Sequence, residues 1–146
     1  MATLRICAER SMPAPPERVY RCIADYRQHH PRFLPPAFSQ FHVEQGGVGE
    51  GTAIRFQLTV GGRTYPYHGH VTEPEPGRVL AEAYTDGGVT TFTVLPEGSG
   101  SRVRIETTAE ATGIQGFVTR LLAPRLLRPL FTDELARLDQ YTQTQV

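Results

Sequence analysis

The chain has 146 residues, enough for one domain with a substantial core. Lys+Arg and Asp+Glu both number 15, so the net charge is zero; every one of those cations is Arg. No basic stripe forms, which argues against a nucleic-acid partner. The opening MATLRICAER has no apolar signal core and no apolar run reaches membrane-spanning length, so a cytoplasmic protein without stable membrane insertion is expected. Cys7 and Cys22 lack metal or redox spacing, and free thiols are expected rather than a disulfide.

Thr3 to Met12 alternates, with Leu4, Ile6 and Ala8 against Arg5, Cys7 and Glu9, and predicts a first strand. PAPPERVYRCIADY predicts a helix with Pro15 or Pro16 in its first turn, Glu17 at its positive end and Val19, Tyr20 and Ile23 as its apolar face. Asp25 suits a local hydrogen-bonding role at its end. Tyr26 to Pro36 reads as an irregular or one-turn helical segment anchored by Phe33 and Leu34.

Six further strands follow. Ser39 to Gln45 carries Phe41 and Val43. Thr52 to Val60 sets Ile54, Phe56, Leu58 and Val60 against Arg55 and Gln57. After a Gly61-Gly62 hairpin signal, Arg63 to Glu73 places Tyr65, Tyr67 and Val71 on one side. Arg78 to Thr85 is a strand of ambiguous facing. Val89 to Leu95 shows Phe92 and Val94, and Arg102 to Ala111 turns Val103 and Ile105 inward.

The last third, Thr112 to Tyr141, is helical. Thr112 and Gln115 have capping-box spacing. Ile114, Phe117, Val118, Leu121 and Leu122 fall at helical spacing, as do Leu127, Leu130, Phe131, Leu135 and Leu138. Pro124 and Pro129 interrupt the pattern and predict two helical pieces meeting between Ala123 and Pro129: first of all a core helix with a bend, and as the sharper alternative a gate swinging over a cavity mouth. Tight turns force antiparallel neighbours, and only this helix is long enough to cover the apolar sheet face. The expected architecture is therefore α+β: a curved antiparallel sheet of about seven strands, in the order β-α-α-β6-α, wrapped around a long kinked C-terminal helix. A cavity between sheet and helix is expected.

Four stretches carry a resemblance. Ala14-Pro15-Pro16-Glu17-Arg18-Val19-Tyr20 resembles an APPExVW-like opening. Gly49-Glu50-Gly51-Thr52 resembles a GxGT strand entry. Val71-Thr72-Glu73-Pro74-Glu75-Pro76-Gly77-Arg78, followed by Leu80, resembles a VTExEPxRxL turn. Phe131-Thr132-Asp133-Glu134-Leu135-Ala136-Arg137-Leu138 resembles a DLxRL terminal helix. Together they resemble the helix-grip superfamily of START-like lipid-binding domains, Bet v 1-type proteins and polyketide cyclase/dehydrase-like bacterial proteins. Asp25-Tyr26 through Phe33-Leu34-Pro35 resembles the YxxFLP region of coenzyme Q-binding relatives, with Pro36 where Trp or Cys often stands. These motifs imply a fold, not an activity.

His68 and His70 stand at i and i+2 of a strand, about 6–7 Å apart on one face, as two ligands of a zinc centre would. Tyr65, Tyr67 and Val71 claim the opposite, concave face, which turns both His to solvent. Glu73 and Glu82 are the nearest acidic candidates and no third ligand is evident, so no metal or cofactor is expected. His29-His30 precede Pro31 in a loop able to border a cavity mouth; a His there is a candidate general base, against the plainer expectation of a solvated pair. Arg55 and Arg63 would suit an anionic ligand head, but alternation points Arg55 outward. No nucleophile elbow or phosphate-binding Gly loop is present.

The leading expectation is a binding module for a hydrophobic or amphipathic small molecule: a lipid, polyketide or isoprenoid-like compound. The expected lining from the N-terminal part and sheet is Tyr20, Phe33, Leu34, Phe56, Leu58, Tyr65, Tyr67 and Phe92. From the helix it is Phe117, Leu121 and Leu130. The alternative is a cyclase or dehydratase-like enzyme moving protons with Tyr65, Tyr67 or His30; convergence of at least two polar groups inside the cavity would favour it. A protein-interaction role ranks third, and a homodimer stays open.

Overall fold

The computed structural model describes residues 2–111 and 113–145, with side chains described for 3–110 and 123–145. Strand β1 (Ala2–Met12) leads into helix α1 (Pro16–Ala24) and a 3-10 turn at His30–Phe33. Strands β2 (Phe38–Gln45), β3 (Ala53–Val60), β4 (Arg63–Glu75), β5 (Val79–Tyr84), β6 (Val89–Glu97) and β7 (Gly100–Ala111) follow, and α2 (Gly113–Gln143) closes the chain. The sheet order is β1-β7-β6-β5-β4-β3-β2, antiparallel throughout. This is the helix-grip α+β fold.

Helix α1 starts on Pro16, whose missing N–H costs nothing in a first turn, and buries Val19, Tyr20, Cys22, Ile23 and Ala24. Asp25 ends it and accepts bonds from the N–H groups of Arg27 and Gln28 at 3.1 and 2.9 Å. Strand β2 is irregular: Gln40 has φ 52° and the register slips between Ser39 and His42. That bulge lets Phe38 and Phe41, three positions apart, border the same cavity, where strict alternation would send them to opposite faces.

Helix α2 corrects the expected break. It is a single helical element with Pro124 and Pro129 inside it. Pro129 is exposed and Pro124 half-buried, so carbonyls freed on this flank can be hydrated. Phe131, Leu135 and Leu138 are buried on the other flank and hold the rod to the sheet. The Thr112–Gln115 capping box lies outside the described residues.

The helix packs along β1 and β7, at one side of the sheet, and against α1 and the 3-10 turn. Ile6, Val19, Ile23, Val103, Ile105 and Leu138 are fully buried where these elements meet. The far side, β2 to β5, curves round the helix without an equally close approach, and a cavity lies in between. Among the described residues, no helix is long and apolar enough to cross a membrane.

Candidate functional site

The cavity has a volume of about 290 Å³. Its sheet-side wall includes Leu34, Phe38, Phe41, Phe56, Leu58 and Phe92. On the helix side Ala123, Leu127, Phe131 and Glu134 recur every three or four residues and so share one face. Asp86 and Glu110 are exposed lining residues and mark where the cavity meets solvent. Rings form one corner: Phe56 stacks on Tyr67 with centroids 5.4 Å apart, and Tyr84 meets Tyr67 edge-on at 5.3 Å.

A polar cluster interrupts the apolar wall. Strand β5 turns Leu80, Glu82 and Tyr84 to the concave side by alternation, which resolves its ambiguous facing and buries a carboxyl group. Glu82 is 5 % exposed and accepts hydrogen bonds from the hydroxyls of Tyr26 and Tyr84, the latter at 2.6 Å. Burial, then the Glu82 charge, raises both tyrosines well above the usual phenol range, so both stay protonated donors.

His30 is 2 % exposed, which corrects the solvated pair expected at His29-His30. Its ring stacks on Tyr26, centroids 4.2 Å apart, and its Nδ1 lies 2.7 Å from the Ile23 carbonyl. A carbonyl only accepts, so Nδ1 carries the proton and neutral His30 presents an Nε2 lone pair towards Glu82, 3.8 Å away. Burial lowers the His30 pKa, against the opposing pull of Glu82, and keeps the ring neutral. His29 is half-buried, its Nδ1 2.7 Å from the Tyr141 hydroxyl.

Glu134 enters from α2 and is 3 % exposed. Among the described residues no hydrogen bond to its carboxyl is found, and it opens onto the cavity. Burial first, then the charge of Glu82, pushes its pKa well above the usual carboxylate range. The cavity thus presents two buried carboxyl groups beside an imidazole lone pair.

Of the expected lining, Leu34, Phe56, Leu58, Tyr67 and Phe92 border the cavity. Tyr20 is buried elsewhere: its hydroxyl donates to Glu73 at 2.6 Å, tying α1 to β4. Phe33 is buried behind the cluster, 4.7 Å from the His30 ring. Tyr65 is 41 % exposed near the β3–β4 hairpin, beyond the cavity's end. Leu130 is half-buried, one position off the lining face of α2, which presents Phe131 instead. The side chains of Phe117 and Leu121 lie outside those described. His68 and His70 are exposed on the outer face, His68 beside Glu44 at 3.3 Å. Among the described residues no three His, Cys, Asp or Glu converge as metal ligands do.

The family model described as polyketide cyclase/dehydrase and lipid transport matches residues 3–143. The chain belongs to that family. Among solved structures, the helix-grip fold recurs in the KanY protein (ms6282), 27 % identical over 98 % of this chain and 99 % of that one, TM-score 0.86. It recurs in the protein TTHA0849 of Thermus thermophilus, 26 % identical over 95 % and 97 % of the two chains, TM-score 0.79. The ZhuI aromatase/cyclase of Streptomyces sp. R1128 shares the fold at 12 % identity, covering 97 % and 94 %, TM-score 0.79. No curated protein matches the chain in sequence. The family description names both cyclase/dehydrase and lipid-transport members.

Proposed function

We propose that the protein binds a compact, largely apolar molecule bearing one polar group, with that group held at Glu82, Glu134 and His30. The carrying observation is a cavity walled by aromatic and aliphatic side chains whose buried polar groups gather on one side. At about 290 Å³ it lies at the small end of the ~300–1,000 Å³ typical of ligand sites, which favours a mono- or bicyclic ligand over a long fused one. Native mass spectrometry of gently purified protein tests this. A small apolar molecule should co-purify, or naphthalene-bearing probes should bind the emptied protein and raise its Tm. Absence of both co-purification and probe binding would sink the reading.

Convergence of Glu82 and Glu134 favours a second reading, turnover of a bound β-hydroxy ketone. The Glu82 carboxylate would take the proton α to the carbonyl while protonated Glu134 gives its proton to the departing hydroxyl, releasing water. The proton then passes from Glu82 to Glu134. Loss of water from such a probe, abolished in Glu82→Gln even at saturating probe, is the expected result; an unchanged probe in the wild type removes this reading and leaves the first intact.

A further inference from the structure

The described lining contains four carboxylic side chains, Glu82, Asp86, Glu110 and Glu134, and no Arg. The chain has no Lys at all, so no Lys ammonium can balance them. The deep polar groups are rich in acceptors. Glu82 has unused lone pairs beyond those taken by Tyr26 and Tyr84, and His30 aims an Nε2 lone pair at it from 3.8 Å. Glu134 is a buried carboxyl with no hydrogen bond among the described residues. Beside this cluster stand the faces and edges of Phe56, Tyr67 and Tyr84, rings whose quadrupoles attract cations.

We propose that the cavity is built to take an ammonium group, so that its ligand is an aromatic or hydrophobic amine rather than a carboxylate. This rests on the apolar-ligand reading above and adds the charge of the head group. An ammonium brings donors for the free lone pairs of Glu82 and His30, and a positive charge, which the described lining lacks. A carboxylate head would meet Glu82 with no cation between them. Among the described residues no cation faces Glu134, and an incoming ammonium would supply one.

The experiment compares three probes with one ring system: 1-naphthylmethylamine, 1-naphthylmethanol and 1-naphthoate. The chain has no Trp, so naphthalene fluorescence reports binding without overlap from indole. At neutral pH the amine should bind at least about tenfold tighter than the carboxylate, with the alcohol between them. Glu134→Gln and Glu82→Gln should each shrink the amine-to-carboxylate affinity ratio by at least about threefold. The wild-type ranking needs no variant, so a substitution that fails to fold does not rescue the idea. Naphthoate binding as tightly as the amine overturns it, as does an amine preference that persists unchanged in both variants. If the alcohol binds but the amine gains nothing over naphthoate, only the ammonium inference falls. If none of the three binds, the apolar-ligand reading falls with it.

Discussion

The two sides of the sheet solve different problems with the same helix. Where β1 and β7 face α2, burial is complete: Ile6, Val103, Ile105 and Leu138 have no exposed surface, and Arg10 of β1 reaches the buried Asp139 of α2 at 2.8 Å. Where β3 to β5 face α2, the side chains are as large but do not meet across the gap, and polar groups are buried there instead. One side fixes the helix; the other uses the fixed helix as a wall. A site whose carboxyl groups must stay dry needs this division, because a helix held only by the cavity side would have little reason to stay.

The sharpest way to break the comparison is to cut into each side in turn. Leu138→Ala removes a fully buried side chain and should cost about 2–5 kcal/mol in chemical denaturation. Leu127→Ala, half-buried and already facing open space, should cost less than about 2 kcal/mol and enlarge the cavity. Equal losses would mean the cavity side is as tightly packed as the other. Tyr26→Phe comes next. It removes one of the hydroxyls that donate to Glu82 and should cost about 1–3 kcal/mol, with no void to fill.

The fold is legible in the sequence because its cues are local. Alternation at Ile54–Phe56–Leu58, turn glycines and a long apolar helix stripe each declare themselves in a few residues. The cavity wall at Phe56, Leu58, Tyr67 and Phe92 was legible for the same reason. The polar cluster was not, since its members come from the 3-10 turn, β5 and α2 and meet only after folding. Glu82 could have been found by following Leu80 and Tyr84 on either side of it. Glu134 could have been found as an acid on the Leu127–Phe131 face of the helix. Phe38 was hidden by the bulge at Gln40, which alternation cannot foresee. Continuity through Pro124 and Pro129 was missed because local proline sterics were allowed to outweigh the packing of the helix that follows.

The acids give the cavity side a pH signature. Glu134 in the folded chain titrates well above its ordinary value of 4.5, because it is buried near Glu82. The stability it contributes is fully present below 4.5 and is lost as pH rises through the folded value. Glu134→Gln keeps a neutral side chain at every pH, so its Tm should fall less than that of the wild type on going from acid to alkaline solution. His30 acts in the other direction. Burial depresses its pKa below 6.5, so its contribution is present above 6.5 and is lost as pH falls through the folded value. His30→Gln should therefore flatten the acid side of the same profile. Parallel wild-type and Glu134→Gln curves across the alkaline side would show that this carboxyl group does not titrate in the fold as its burial demands.

The smallest expected effect locates the cavity's end. Tyr65 and Tyr67 sit on one strand, two residues apart, and face the same side of the sheet. Tyr67 stacks on Phe56 and borders the cavity, whereas Tyr65 is exposed and pairs with Leu58 near the hairpin. Tyr65→Ser should change stability by no more than about 0.5 kcal/mol, as an exposed substitution does, and should leave naphthylmethanol binding unchanged. Tyr67→Ser should weaken that binding at least about tenfold, by removing a ring from the wall. If Tyr65→Ser weakened binding as much, the ligand would have to extend past Phe56 towards the hairpin, and a compact ligand would no longer account for the site.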